Sequence, residues 1–438
     1  MRPLPRVLAA VIAALGLLAS GLSAAPAQAA VATPGSFTGY GFDQCLAPSQ
    51  RAMDAWLRSS PYLAVGIYVS GASRGCPRQP NLTPAWVASQ LRKGWRLLPI
   101  TLGPQASCTT RERYLRQVRI RPSPAGGYAA ARRQGRAEAA RTVAVSRRLG
   151  ISPRSTLWYD LEAFDTSPRN CRESALSFLS AWTLQLHRLG YVSGVYSSAA
   201  SGIAMLDDAR VRRPGRYRMP DQIWIADWNN RATVASGYVR GSGWLPHRRV
   251  HQYRGGHLET HGGVTINVDS NWLDLGRGSR AAPERAHCGG SASFNHPRYA
   301  TRSVRDTGAQ VRTVQCLLRG RRAYAGAVNG RYDARLGAAV RRYRLDRGLP
   351  AGTSTTRATW VALLSQGSAP LLKTGSAGEA VRRVQRSLNA ADGTGLRVSG
   401  VFDTATAAAV RRYQRDHGRG GTGVMTTPVW RLLQAGRA

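Results

Sequence analysis

The chain has 438 residues, 43 % of them hydrophobic, enough for two or three domains with sizeable cores. Beyond the first thirty residues no apolar run is long enough to span a bilayer, which excludes a helical membrane protein. Sixty-two Lys and Arg against twenty-three Asp and Glu give a formal charge of +39, a field that attracts polyanions.

The chain opens with MRPLPR, a short basic region, followed by the apolar stretch VLAAVIAALGLLASGL and small residues ending in Ala27-Gln28-Ala29. This order is that of a secretory signal, with cleavage expected near Ala29 or Ala30, so residues 1–30 are assigned to it. An exported chain of this charge is expected to meet phosphate- and carboxylate-bearing wall polymers. Nucleic acid is not expected as a partner, and no membrane span remains once the signal is gone. Almost all the cations are arginines, Lys93 and Lys373 being the only lysines.

Residues 36–276 alternate short apolar runs with helical stretches. Strands are expected at 37–43, 63–70, 96–102, 156–162, 192–197, 222–228, 249–253 and 265–269. Helices fit between the first five, notably at 128–149 and 172–189, where Gly150 and Gly190 act as C-terminal stops. The connections among the last three strands look loop-like. The expected fold class is α/β: a TIM-like β/α barrel of eight strands with incomplete helices in its last third.

Barrels of this kind carry their chemistry at the C-terminal ends of the strands. Asp43, Asp160, Glu162, Asp227, Gln252 and Asp269 all fall there. On a strand, positions i and i+2 face the same side, so Asp160 and Glu162 can both point into the mouth. Glycosidic cleavage needs one carboxylic acid to protonate the leaving oxygen and a second group to stabilise or attack the cationic centre. Crowding carboxylates in a partly apolar mouth raises the pKa of one of them. The competing structural role is helix capping, which only one member of the Asp160/Glu162 pair could fill. Aromatic side chains flank the same ends, among them Tyr68, Tyr196, Trp228 and Tyr253, and such rings suit the apolar faces of sugars. Alternate members must instead face the helices.

His251, His257 and His261 match no zinc spacing, and Ser197, Ser198 and Ser201 lack a nucleophile elbow, so neither a metal nor a cofactor is expected. Six cysteines, Cys45, Cys76, Cys108, Cys171, Cys288 and Cys316, predict three disulfides in an oxidising compartment. Cys288 and Cys316 lie together past the last strand and are expected to pair; the other four leave three connectivities open. Each of those four follows one of the first four strands, so their bridges are expected to brace loops on the rim of the mouth.

Beyond a linker at 277–303 the sequence repeats with an offset of seventy residues. Val314-Gln315 returns as Val384-Gln385, Gly330 as Gly400, Tyr343 as Tyr413 and Trp360 as Trp430. Each copy predicts three short helices, the second N-capped by Asp333 or Asp403. The copies are placed at 304–366 and 370–436. Their VxxVQxxL start, the Gly330-Arg-Tyr-Asp333 and Gly400-Val-Phe-Asp403 turns and the "AVRRY" helix resemble the peptidoglycan-binding domain of bacterial wall hydrolases. The first copy departs from that pattern in having Arg344 where the second keeps Gln414.

The motifs GYGFDQCLAPS, YLAVGIYVSG, WYDLEAF, LGYVSGVYSS, IWIADW, HQYRGG and GGVTINVDSNWLD resemble the secreted glycoside-hydrolase-like domain common in actinobacteria, itself similar to family-25 lysozymes. The resemblance implies Glu162 as general acid and Asp160 as its partner, stabilising the transition state or orienting an acetamido group. It also implies Asp43 and Asp227 as the rest of the acidic mouth, lined by Gln252 and Asp269. The expected function is a monomeric, secreted glycoside hydrolase acting on the glycan backbone of peptidoglycan. The alternative is a non-catalytic wall-binding protein that keeps the groove.

Overall fold

The computed structural model describes residues 31–438; the signal expected at 1–30 lies outside the described residues. Eight strands close a barrel in sequence order: β1 (Phe37–Asp43), β2 (Ala64–Ser70), β3 (Arg96–Thr101), β4 (Thr156–Asp160), β5 (Val192–Ser198), β6 (Gln222–Ala226), β7 (Arg248–His261) and β8 (Val264–Leu275). The first seven run parallel, and β8 closes the ring antiparallel to both β7 and β1. Helices α1 (Gln50–Ser59), α2 (Pro84–Arg92), α3 (Glu112–Leu115), α4 (Ala125–Arg148), α5 (Arg169–Arg188) and α6 (Ala204–Arg212) cover the first two thirds, and none separates β6, β7 and β8. The expected barrel with an incomplete last third is therefore present.

Strands β3 and β4 are buried at almost every position because helices cover one face and the barrel lumen the other. The lumen is floored by Phe37, Leu98, Ile100, Trp158, Trp224, Val250 and Leu273. Trp158 and Trp224 meet edge to face with ring centres 5.5 Å apart. On the opposite side of the strands, Tyr159 packs on Phe178 and Trp182 of α5. No helix among the described residues is long and apolar enough to cross a membrane.

Strands β7 and β8 are much longer than expected. Their outer halves form a two-stranded ribbon that turns at Gly262-Gly263, both in the left-handed region at φ 59° and 74°. His257 and His261 therefore sit on a strand rather than in a loop, each bonded to Glu259. His251 is buried, with its ring nitrogens against the carbonyl oxygens of Thr233 and Asp227.

Three disulfides join Cys45 to Cys76, Cys108 to Cys171, and Cys288 to Cys316. The first ties the loop after β1 to the loop after β2. The second ties the loop after β3 to α5, so Cys171 lies in a helix rather than in the loop expected of it.

The C-terminal region holds six helices, α7 (Ala309–Gly320), α8 (Ala334–Asp346), α9 (Arg357–Ser365), α10 (Glu379–Asp392), α11 (Thr404–Asp416) and α12 (Thr427–Gln434). The repeat extends to individual bonds. The Gln315 side-chain oxygen accepts from the Gly330 amide at 2.8 Å, and that of Gln385 from Gly400 at 2.9 Å. Asp333 and Asp403 cap their helices at 2.7 and 2.8 Å, and the Trp360 and Trp430 indoles donate to Ala300 and Pro370 carbonyls, each at 2.8 Å. Arg344, where the copies differ, bonds the Pro350 and Ser354 carbonyls, as Gln414 bonds the Val424 carbonyl, so each holds the loop after its helix. One continuous core runs through both copies from Val311 to Leu433.

This helical region is fastened to the barrel. Lys373, fully buried, donates from Nζ to the carbonyls of Ser60 and Tyr62 at 2.9 Å and of Trp56 at 3.3 Å, at the C-terminal end of α1. A cation at a helix C-terminus is favoured both by the free carbonyls and by the helix dipole. The segment at 277–303 is tied down as well. Glu284 pairs with buried Arg386 of α10, and the Ser279 hydroxyl bonds the Gly375 carbonyl at 2.8 Å.

Candidate functional site

The site sits above the Trp158/Trp224 floor, where β1 and β4 end and the middle of the antiparallel β8 passes. Asp43 is the last residue of β1 and is buried. Gly66 of β2 leaves room for it: a Cβ there would meet the Asp43 Cβ at 2.5 Å. Asn271 of β8 donates to Asp43 Oδ1 at 2.7 Å, and Gln252 of β7 donates to it at 3.2 Å. The Gln252 side-chain oxygen accepts in turn from Tyr196 and from the exposed Trp228, each at 3.0 Å. These bonds favour an ionised Asp43, but burial first, and then the charge of Asp269, push its pKa up to about 8.

Asp160 closes β4 and is 1 % exposed. Tyr68 donates to its Oδ2 at 3.3 Å, and its Oδ1 has no hydrogen-bond partner. Burial, followed by Glu162 and Asp43, lifts its pKa well above the ordinary value. The chain leaves strand geometry at Leu161, two residues earlier than expected. Glu162 still turns into the mouth because Gln105 holds both neighbouring peptide groups. The Gln105 oxygen accepts from the Glu162 amide at 2.8 Å and its nitrogen donates to the Asp160 carbonyl at 2.9 Å.

Glu162 is the more accessible of the pair, its side chain 20 % exposed. Tyr114 donates to its Oε1 at 3.3 Å and Arg111 lies 3.4 Å from its Oε2. Asp269 completes the cluster; burial is the largest influence on it and raises its pKa to about 6. Asp43, Tyr68, Tyr114, Glu162 and Asp269 line one cavity of about 200 Å³.

Asp43, Asp160, Glu162 and Asp269 thus come together with Tyr68, Tyr196, Trp228 and Gln252. Two expected members stand apart. Asp227 lies just past β6, and its carboxylate accepts from the Asn229 side chain at 2.9 Å rather than joining the bonds that link Asp43, Gln252, Tyr196 and Trp228. Tyr253 turns its hydroxyl to Ser270 beside Tyr40 and Glu259, as the alternation from inward Gln252 requires. Arg111, Tyr114 and Gln105 were not anticipated: Gln105 lies in the loop after β3, and Arg111 and Tyr114 belong to the start of the one-turn helix α3, too short to show a periodicity. Asn271 was legible in principle, two residues after Asp269 on the same strand.

The arrangement offers buried carboxyls of raised pKa, one accessible glutamate and several hydroxyl and amide donors around a cavity to which Tyr68 and Tyr114 contribute rings. No group of His, Cys, Asp and Glu among the described residues is arranged to hold a metal ion.

No curated protein matches the chain. Among solved structures, that of the Mycobacterium tuberculosis Tat-secreted protein Rv2525c in complex with L-tartrate is 15 % identical, with a TM-score of 0.35, covering 54 % of this chain and 95 % of its own. The Clostridium perfringens spore cortex lytic enzyme SleM is 15 % identical at a TM-score of 0.37, covering 54 % of this chain and 67 % of its own. A family 25 glycosyl hydrolase from Bacillus anthracis is 12 % identical at 0.32, covering 55 % and 91 %. Residues 377–433, the second helical copy, match the model of a peptidoglycan-binding domain. Residues 54–273, half of the chain, match the Rv2525c-like, glycoside hydrolase-like domain, and the protein belongs to that family.

Proposed function

We propose that the protein is a secreted, wall-associated glycoside hydrolase that cuts the glycan backbone of peptidoglycan, held to the wall by the repeats at 304–366 and 370–436. The observation that carries this reading is the pair Asp160 and Glu162 on one inward edge, one carboxyl fully buried, the other within reach of solvent. In this mechanism the proton held by the Asp160/Glu162 pair moves onto Glu162 as the Arg111 contact opens, and Glu162 delivers it to the leaving glycosidic oxygen. Asp160, left ionised by that transfer and bonded to Tyr68, stabilises the positive charge that develops on the sugar or orients its acetamido group. Asp43 and Asp269 supply further hydrogen bonds, and Trp228 offers its exposed face to a sugar ring. Asp227 is assigned an outer position along the same rim, and Tyr253, turned toward Ser270, is given no contact with the glycan. Three disulfides and the match to a peptidoglycan-binding domain support an extracytoplasmic location.

One contact favours the non-catalytic alternative. The Arg111–Glu162 ion pair has to open before Glu162 can hand over a proton. A protein that only binds glycan would keep it closed. The two readings separate when the mature chain is incubated with insoluble peptidoglycan and new reducing ends are counted. A hydrolase generates them and Glu162→Gln loses at least about a hundredfold in rate. Equal yields from both proteins overturn the assignment of Glu162, and wall binding with no reducing ends selects the alternative.

A further inference from the structure

The mouth is neither the largest cleft nor the most basic. A cleft of about 950 Å³ on the barrel flank is lined by several arginines, but Glu173, Asp207 and Asp208 line it too and bond to them. A different cleft, of about 600 Å³, lies at the opposite end of the barrel from the mouth, where the start of β3, the segment after β8 and the second helical copy meet. Lys93, Arg96, Arg277 and Arg280 line it, and no carboxylate does.

These cations are poorly compensated. Lys93 is paired with Asp54. Arg96, Arg277 and Arg280 have no ion pair among the described residues. Glu284 and Glu379, on neighbouring segments, are already bonded to Arg386. Arg96 is the most exposed to this deficit. Burial depresses its pKa, its Nε has no partner, and the one hydrogen bond its guanidinium makes among the described residues is a long one of 3.4 Å to the Pro34 carbonyl. A guanidinium has five donors in a planar fork that matches an oxyanion. Leaving most of them unused beside three other cations is unfavourable unless an anion neutralises the cleft.

We propose that this junction cleft is an oxyanion site for phosphate groups, of the kind carried by a phosphodiester wall polymer. Arg96 supplies the half-buried anchor, and Arg277 and Arg280 the accessible clamp. Because the cleft is built from both the barrel and the helical region, an occupant bridges them. It would hold the protein on an anionic polymer at the end away from the mouth, leaving the mouth free for glycan. The site is independent of the chemistry assigned to Glu162.

The test is binding of short glycerol-phosphate oligomers, and of inorganic phosphate separately, to the full mature chain by titration calorimetry. Wild type is expected to bind the oligomers, and Arg277→Gln/Arg280→Gln to bind them about tenfold more weakly. An equally discharged control, Arg319→Gln/Arg322→Gln on the first helical copy, is expected to stay within about twofold of wild type. Arg96→Gln, checked for an intact melting transition, should weaken binding further. Competition by inorganic phosphate identifies a single-phosphate pocket, and binding of oligomers without such competition identifies an extended polymer site. No oligomer or phosphate binding, or equal losses in the cleft and control variants, overturns the proposal.

Discussion

Asn271 donates a 2.7 Å hydrogen bond to Asp43 while its own side-chain oxygen accepts one, also of 2.7 Å, from the Trp224 indole in the barrel floor. The polar mouth is thereby bonded directly to the apolar lumen beneath it. Asp43 cannot move to find water, and its burial decides its protonation.

The consequence is a pH dependence of stability. Below the ordinary aspartate value of 3.8 Asp43 is protonated whether folded or unfolded and contributes no slope. Between that value and about 8 the unfolded chain releases the proton and the folded chain retains it, so stability falls as pH rises through this window. Asp269, raised to about 6, adds to the fall over the lower part of the range. Asp43→Asn removes its share. Melting temperatures measured from about pH 5 to about pH 8 should decline less steeply in the variant than in wild type; parallel curves would contradict the protonated state.

The Cys45–Cys76 bridge spans 31 residues and stands beside the cavity, which Cys45 lines. Loop-closure entropy for that separation corresponds to roughly 3–4 kcal/mol of stability. Cys45→Ser/Cys76→Ser is expected to melt earlier by an amount of that order. It should also lose glycan binding at temperatures where it is still fully folded, because the loops after β1 and β2 are no longer held together. Unchanged binding in the folded variant would show that the rim is positioned by other contacts.

Lys373 makes three hydrogen bonds to the end of α1 from a fully buried position. Lys373→Met fills the same space but leaves those carbonyls without donors, at a cost of about 2–4 kcal/mol. Calorimetry should then resolve separate melting of barrel and helical region, and limited proteolysis should cut within residues 277–303. A single undivided transition at the wild-type temperature would show that the contact does not fasten the two.

Much of this architecture was legible because barrel strands buried on both faces read as short apolar runs, and because each run met a carboxylate or amide where it reached solvent. Asp43, Asp160, Glu162, Gln252 and Asp269 were found that way. The outer halves of β7 and β8 were missed because their alternate positions face water, so polar residues such as His257 and Glu259 interrupt the apolar pattern. Arg111 and Tyr114 were missed for a different reason. They reach Glu162 from the one-turn helix α3 and the residue that precedes it, a segment that closely follows Cys108 of the Cys108–Cys171 bridge and is too short to carry a readable periodicity. Tyr253 was misplaced by counting all rim aromatics together, although period two separates it from Gln252.

The decisive measurement is mass spectrometry of soluble fragments released from purified peptidoglycan by the mature chain and by Glu162→Gln at matched wall occupancy. Wild type should release glycan pieces with new reducing termini, and the variant should sediment with the wall to the same extent while releasing at least about a hundredfold less. Fragment release by Glu162→Gln equal to that of wild type, or none by either protein, would contradict a hydrolytic mouth built on Asp160 and Glu162.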